Sequence, residues 1–104
     1  MTKPYQVLIS AETQNQANRI SNHLLNKKLI VGATIVKAPS KFWWKGKIIK
    51  MGSYCYVQAL TTAGKKERII SEVENISKEE VPMIFFFAFE PNKKFLDWIE
   101  RSVH

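Results

Sequence analysis

The run Phe42-Trp43-Trp44-Lys45-Gly46-Lys47 sets three adjacent aromatic rings at the entrance to a basic turn, with Lys37, Lys41 and Lys50 close by in sequence. Ammonium groups neutralise phosphates and aromatic faces stack on bases, so this combination suits single-stranded nucleic acid or a small phosphorylated ligand. The surrounding charge points the same way. No Asp or Glu occurs between Glu12 and Glu67, a stretch that holds ten of the sixteen Lys and Arg residues. The formal charge of +7 is therefore concentrated in the middle of the chain, where it attracts anions and repels free metal cations. The expected anion-binding patch is Lys37, Lys41, Lys45, Lys47 and Lys50 around Phe42, Trp43 and Trp44, and charge reversal at Lys45 and Lys47 is expected to abolish binding. The aromatics have a second reading. On a strand Trp43 and Trp44 point to opposite faces, which suits packing in the core or in a subunit interface.

Metal-ligating residues are few and scattered. His23 reads as a surface or helix-packing histidine and His104 is the terminal residue. Cys55, the single cysteine, lies among Tyr54, Tyr56 and Val57 and reads as a buried strand thiol. Met51 precedes it by four residues, which on a regular strand puts both on one face. Glu72, Glu74, Glu79 and Glu80 form the one acidic cluster, read as a solvated helix face and loop. No metal site is assigned. No catalytic residue is assigned either, since the chain has no Gly-x-Ser-x-Gly elbow or glycine-rich phosphate loop, and no enzyme activity is expected.

These residues need elements to position them. Tyr5 to Ala11 alternates as a strand, with Tyr5, Val7 and Ile9 on one face and Leu8 on the other. Thr13 is a cap for a helix reaching about Lys27, its apolar side formed by Ala17, Ile20, Leu24 and Leu25. Leu29 to Val36 and Lys41 to Trp44 read as one long strand bent at Ala38-Pro39-Ser40. Lys45-Gly46 reverses the chain, and Ile48 to Thr62 returns as a second long strand with Gly52 as a bulge or twist point. A second helix follows Thr61-Thr62-Ala63-Gly64, with Ile69, Ile70, Val73 and Ile76 on one side. The continuous apolar run Ile84 to Phe89 predicts a central strand covered on both faces. A last helix after Pro91-Asn92 carries Phe95, Leu96, Ile99 and Val103. The order predicts an α+β, ferredoxin-like βαββαβ sandwich with an extended hairpin and an additional C-terminal helix.

With 104 residues, 45% of them hydrophobic, the chain suits a single domain spanning 1–104. The longest apolar run, Val81 to Phe89, is far below the roughly 20 residues of a membrane-spanning helix, so no membrane partner is expected. No apolar signal core follows Met1, and a lone cysteine suits a reducing compartment, so the expected location is the cytoplasm.

Several landmarks in this order resemble the CutA family of divalent-cation tolerance proteins. They are Lys28-Leu29, Phe42-Trp43-Trp44-Lys45-Gly46-Lys47, Thr61-Thr62, Val81-Pro82 and Phe95-Leu96-Asp97-Trp98-Ile99. The resemblance implies a ferredoxin-like subunit in a tight homotrimer, a non-enzymatic role in the response to metal ions such as copper, and copper or another divalent cation as ligand. The donors it implies are not in place. Gly32 stands where a cysteine is implied, Ser77-Lys78-Glu79 where a His-Pro-Tyr triplet is, and Lys45 where a carboxylate is. The competing reading is a trimer that binds an anion or nucleic acid through its basic aromatic hairpin.

Overall fold

The computed structural model describes residues 3–103, so His104 lies outside the described residues. The elements are β1 (Pro4–Ala11), α1 (Gln14–Asn26), β2 (Gly32–Trp44), β3 (Lys47–Thr62), α2 (Lys66–Ile76), β4 (Ile84–Ala88) and α3 (Lys93–Ser102), with a 3-10 turn at Ala63–Lys65. The strands lie in the order β2-β3-β1-β4, and every neighbouring pair is antiparallel. This is the expected α+β arrangement, with its long hairpin and extra helix.

Local chemistry explains the ends of α1. Thr13 Oγ1 accepts from the Gln16 N–H at 3.2 Å, satisfying one donor that the first turn leaves unpaired. At the other end Lys28 adopts φ 57°. Its N–H donates to the Leu25 carbonyl and that of Leu29 to the Leu24 carbonyl, both at 3.0 Å, the paired bonds of a Schellman cap. Leu29 is thereby turned inward and fully buried.

Helices α1 and α2 cover one face of the sheet. Val7 and Ile9 from β1, Val57 and Ala59 from β3, Ile20 and Leu24 from α1, and Ile69 and Val73 from α2 form one buried cluster. Each fully buried Leu, Ile or Val contributes about 1.5–3 kcal/mol through apolar burial. His23 ties the two helices together at the surface, its Nε2 donating to Glu72 Oε1 at 2.6 Å. Lys27 Nζ lies 3.8 Å from the other carboxylate oxygen. The bond from His23, assisted by Lys27, holds the Glu72 carboxyl below its ordinary value of 4.5.

The second face is largely open. Helix α3 reaches only its far end, where Trp98 Cη2 lies 3.7 Å from the position a Cβ on Gly32 would take. Ile99 and Val103 are buried there, outside the main cluster. The run Ile84 to Phe89 departs from the expected central strand: β4 pairs with β1 alone and forms an edge of the sheet. Ile84 and Phe86 pack against the core, whereas Phe85 and Phe87 remain 45% and 39% exposed on the open face. In this chain the apolar run is therefore covered on one side only.

The β2–β3 hairpin extends past the helices, giving a molecule of 44 × 25 × 21 Å. Its two-residue turn has Lys45 at φ 49° and Gly46 at φ 79°, a type I′ geometry that glycine favours. Between the pairs Ala38↔Tyr54 and Ser40↔Met51, one residue of β2, Pro39, faces two of β3, Gly52 and Ser53. This is a β-bulge. Pro39, which has no N–H, is tolerated at an irregular position on an outer strand, so β2 continues through it to Trp44, while its start falls at Gly32 instead of Leu29 because the cap at Lys28 turns Leu29 into the core.

Replacing Leu24 with Ala will destabilise the protein by about 2–5 kcal/mol in urea unfolding, while Leu25→Ala on the exposed side will change stability by under about 0.5 kcal/mol. Because Glu72 is held below its ordinary value in the folded state, its contribution is complete above about pH 4.5 and disappears as the pH falls through the folded value. Glu72→Gln will therefore lower stability at pH 7 and flatten the acid limb of the stability curve; an unchanged limb would show that the His23–Glu72 contact is energetically silent.

Candidate functional site

The bulge sets the two faces of the hairpin. On β2 the alternation is unbroken, so Lys37, Lys41 and Trp43 project from the side that carries the helices. On β3 the extra residue inverts the parity. Cys55 and Val57 face the helices, yet nearer the turn it is Ile48 and Lys50 that share that side, opposite Trp43 and Lys41 respectively. Phe42, Trp44, Ile49 and Met51 consequently join Tyr54 and Tyr56 on the open side, where they line a groove of about 730 Å³. Lys41 and Trp43 border the groove as well but belong to the other set in the alternation. Met51 and Cys55, expected on one face, are therefore on opposite faces, and they make no joint site.

Glu79 anchors the inner end of the groove. Ser10 Oγ donates to its Oε2 at 2.6 Å, and the Tyr54 hydroxyl donates to its Oε1. Ser10 Oγ also accepts from the Met83 N–H at 2.8 Å, and the Ser10 N–H donates to the Met83 carbonyl at 2.9 Å. The loop after α2 is thus tied to the end of β1 by one residue, through the hydroxyl and the N–H of Ser10. Burial, and then the bond to Glu79, push the Tyr54 phenol up from 10.0 to about 12. Phe42 packs on Tyr54 with ring centroids 5.8 Å apart.

The acidic cluster expected to be solvated divides: Glu74 and Glu80 are exposed as expected, whereas Glu72 and Glu79 are half-buried and hydrogen-bonded. Glu72 takes His23, Glu79 takes Ser10 and Tyr54, and Glu80 lies 3.7 Å from Lys45. Among the described residues, no three His, Cys, Asp or Glu side chains come together as a metal site. Cys55 is buried, as its apolar setting predicts. His23 packs between helices. The donor set does not fit a resident divalent cation: Glu72 and Glu79 already hold an imidazole and two hydroxyls, the exposed Glu74 has no second or third ligating side chain beside it, and the thiol lies in the core.

The five-lysine patch divides. Lys45 is drawn back over the groove, 5.4 Å from the Trp44 ring centroid and beside Glu80, and Lys47 pairs with Trp44 on the open side. Lys37, Lys41 and Lys50 remain together on the opposite side with Trp43, which is 71% exposed, and Ile48, which is 56% exposed. Sequence reasoning identified the hairpin residues but missed Ser10, Tyr54 and Glu79. The one available signal was a serine directly after the apolar run Val7-Leu8-Ile9 of β1.

Three comparisons bear on this architecture. Residues 5–102 match the family model described as CutA1 divalent ion tolerance protein. A relative from Archaeoglobus fulgidus, the divalent-cation tolerance protein CutA, is 33% identical over 98 residues, covering 93% of this chain and 95% of the relative. The chain belongs to the CutA family. A relative of the same name from Thermotoga maritima is 28% identical over 91 residues, covering 86% of this chain and 89% of its own length. Among solved structures, CutA1 from Ehrlichia chaffeensis superposes with a TM-score of 0.91 at 25% identity, covering 100% of this chain and 98% of that one. The structure of the periplasmic CutA from A. fulgidus gives 0.91 at 31% identity, with 97% and 99% covered. As in other CutA proteins, the fold is preserved along the whole domain.

Ultraviolet titration will show one of the three tyrosines ionising near pH 12, and Glu79→Gln will lower that value part of the way by removing the carboxylate that opposes the phenolate, while burial, the larger cause, remains. If Tyr54→Phe leaves the high-pH component in place, the assignment of that phenol is wrong.

Proposed function

We propose that this CutA-family chain serves the divalent-cation response as a non-enzymatic homotrimer whose own side chains do not retain the metal. The observation that carries the assembly is the open sheet face. Phe85, Phe87, Tyr56 and the groove wall of Phe42, Trp44, Ile49 and Met51 form an apolar surface that the chain's own helices do not cover. A surface of this kind is costly in water and marks an interface. The outer half of β3, from Lys47 to Gly52, also has β2 on one side and no strand on the other, an edge that natural proteins shield. Three is the number of subunits implied by the family resemblance.

The names of its relatives link the family to divalent cations. In this chain the cation role is assigned to the assembly's response and not to a caged resident ion, because among the described residues no three ligating side chains converge and the middle of the chain is strongly basic. No described helix is long and apolar enough to cross a membrane. We place the protein in the reducing cytoplasm, a reading supported by its single, free and buried cysteine; the A. fulgidus counterpart described as periplasmic makes fractionation a direct check.

Native mass spectrometry of the untagged protein, with and without copper, reads both parts at once. The expected spectrum is a species of three times 12.0 kDa that takes up no stoichiometric copper. A monomer would overturn the assembly, and a trimer holding copper would overturn the assignment of the donors.

A further inference from the structure

We propose that the outward side of the β2–β3 hairpin binds single-stranded nucleic acid, with Trp43 as the stacking platform and Lys37, Lys41 and Lys50 as the phosphate contacts. Lys41 and Lys50 are directly paired across the two strands, a placement that brings like charges to about 4.5–5.5 Å between Cβ atoms and is unfavourable when nothing neutralises it. Nothing in the described chain does so. The salt bridges involve Lys27, Lys45, Lys93 and His23, and none involves Lys37, Lys41 or Lys50. Phosphate oxygens would supply the missing counter-charge.

The next cross-strand pair is Trp43 and Ile48, both exposed. An indole with this much free surface beside a pair of ammonium groups offers a base its π-face while the backbone is held by charge. A simple polyanion would use the lysines and leave the indole idle. A duplex would keep its bases stacked on one another and out of the indole's reach. Unpaired bases use both features, which is why the observations favour a single strand. The site is separable from the proposed trimer: Lys41 and Trp43 also border the groove, but the strand alternation sets Lys37, Lys41, Trp43 and Lys50 apart from Phe42, Trp44, Ile49 and Met51, which form the apolar wall. Both can be occupied together, and either reading can fail without the other.

The test is fluorescence anisotropy of a labelled oligothymidylate titrated with the intact protein at several salt concentrations. Three phosphate contacts predict a log–log salt slope of about −2 for a single strand. Trp43→Ala will weaken binding by roughly fivefold or more while Trp43→Phe preserves most of it, as stacking requires. Lys41→Gln and Lys50→Gln will each reduce the slope by up to about one, whereas Lys27→Gln, at the end of α1, will not. Native mass and circular dichroism of each variant separate loss of the site from loss of the fold. The proposal is overturned if oligothymidylate does not bind, if affinity ignores salt, if inorganic polyphosphate competes equally well and Trp43→Ala has no effect, or if the protein binds phosphatidylserine vesicles and not the oligonucleotide.

Discussion

Strand β3 is paired on both edges for only part of its length, and the rest of the molecule is arranged around that fact. From Cys55 to Leu60 it lies between β1 and β2; from Lys47 to Met51 it has β2 alone. The doubly paired half forms the floor on which α1 and α2 bury their apolar sides. The singly paired half extends into solvent as a hairpin. The bulge at Gly52 and Ser53 falls at the junction between the two and inverts the parity of everything beyond it, so a single extra residue decides which side chains join the groove and which face outward.

The consequence is a two-sided hairpin with different chemistry on each side. One side is apolar and aromatic, continuous with the open face of the sheet and organised at its inner end by the Ser10–Glu79–Tyr54 bonds. The other is basic around a solvent-exposed indole. Apolar area and unpaired charge are both costly in isolation and call for different partners, the proposed subunit contact for the first and the proposed anion for the second. The CutA fold supplies the frame for both, and this chain's own side chains supply the chemistry. Lys45 in the turn lies beside Glu80, and Glu79 holds two hydroxyls.

Features governed by near neighbours were legible in the sequence. Thr13 capped α1 as its type predicts, Lys45-Gly46 made the two-residue turn, and the spacing of Ile69 and Val73 identified the buried side of α2. Gly52 was recognised as irregular, but the direction of its effect was not readable, because parity depends on which strand carries the extra residue. Met51 and Cys55 were misplaced for that reason. The edge position of β4 was hidden by its unbroken apolar run, whose second face is open in a single chain. Glu79 was hidden because Ser10 lies 69 positions away and Tyr54 lies 25 away, separations at which no local pattern operates.

The central claim is that one side of the hairpin is closed by assembly and the other left open. Hydroxyl-radical footprinting of the native protein, read residue by residue by mass spectrometry, addresses it most directly. The account predicts strong modification of Trp43 together with protection of Phe85, Phe87 and Trp44 beyond their exposure in a single chain. Rapid modification of Phe85 and Phe87, or protection of Trp43 in the absence of any ligand, would contradict it.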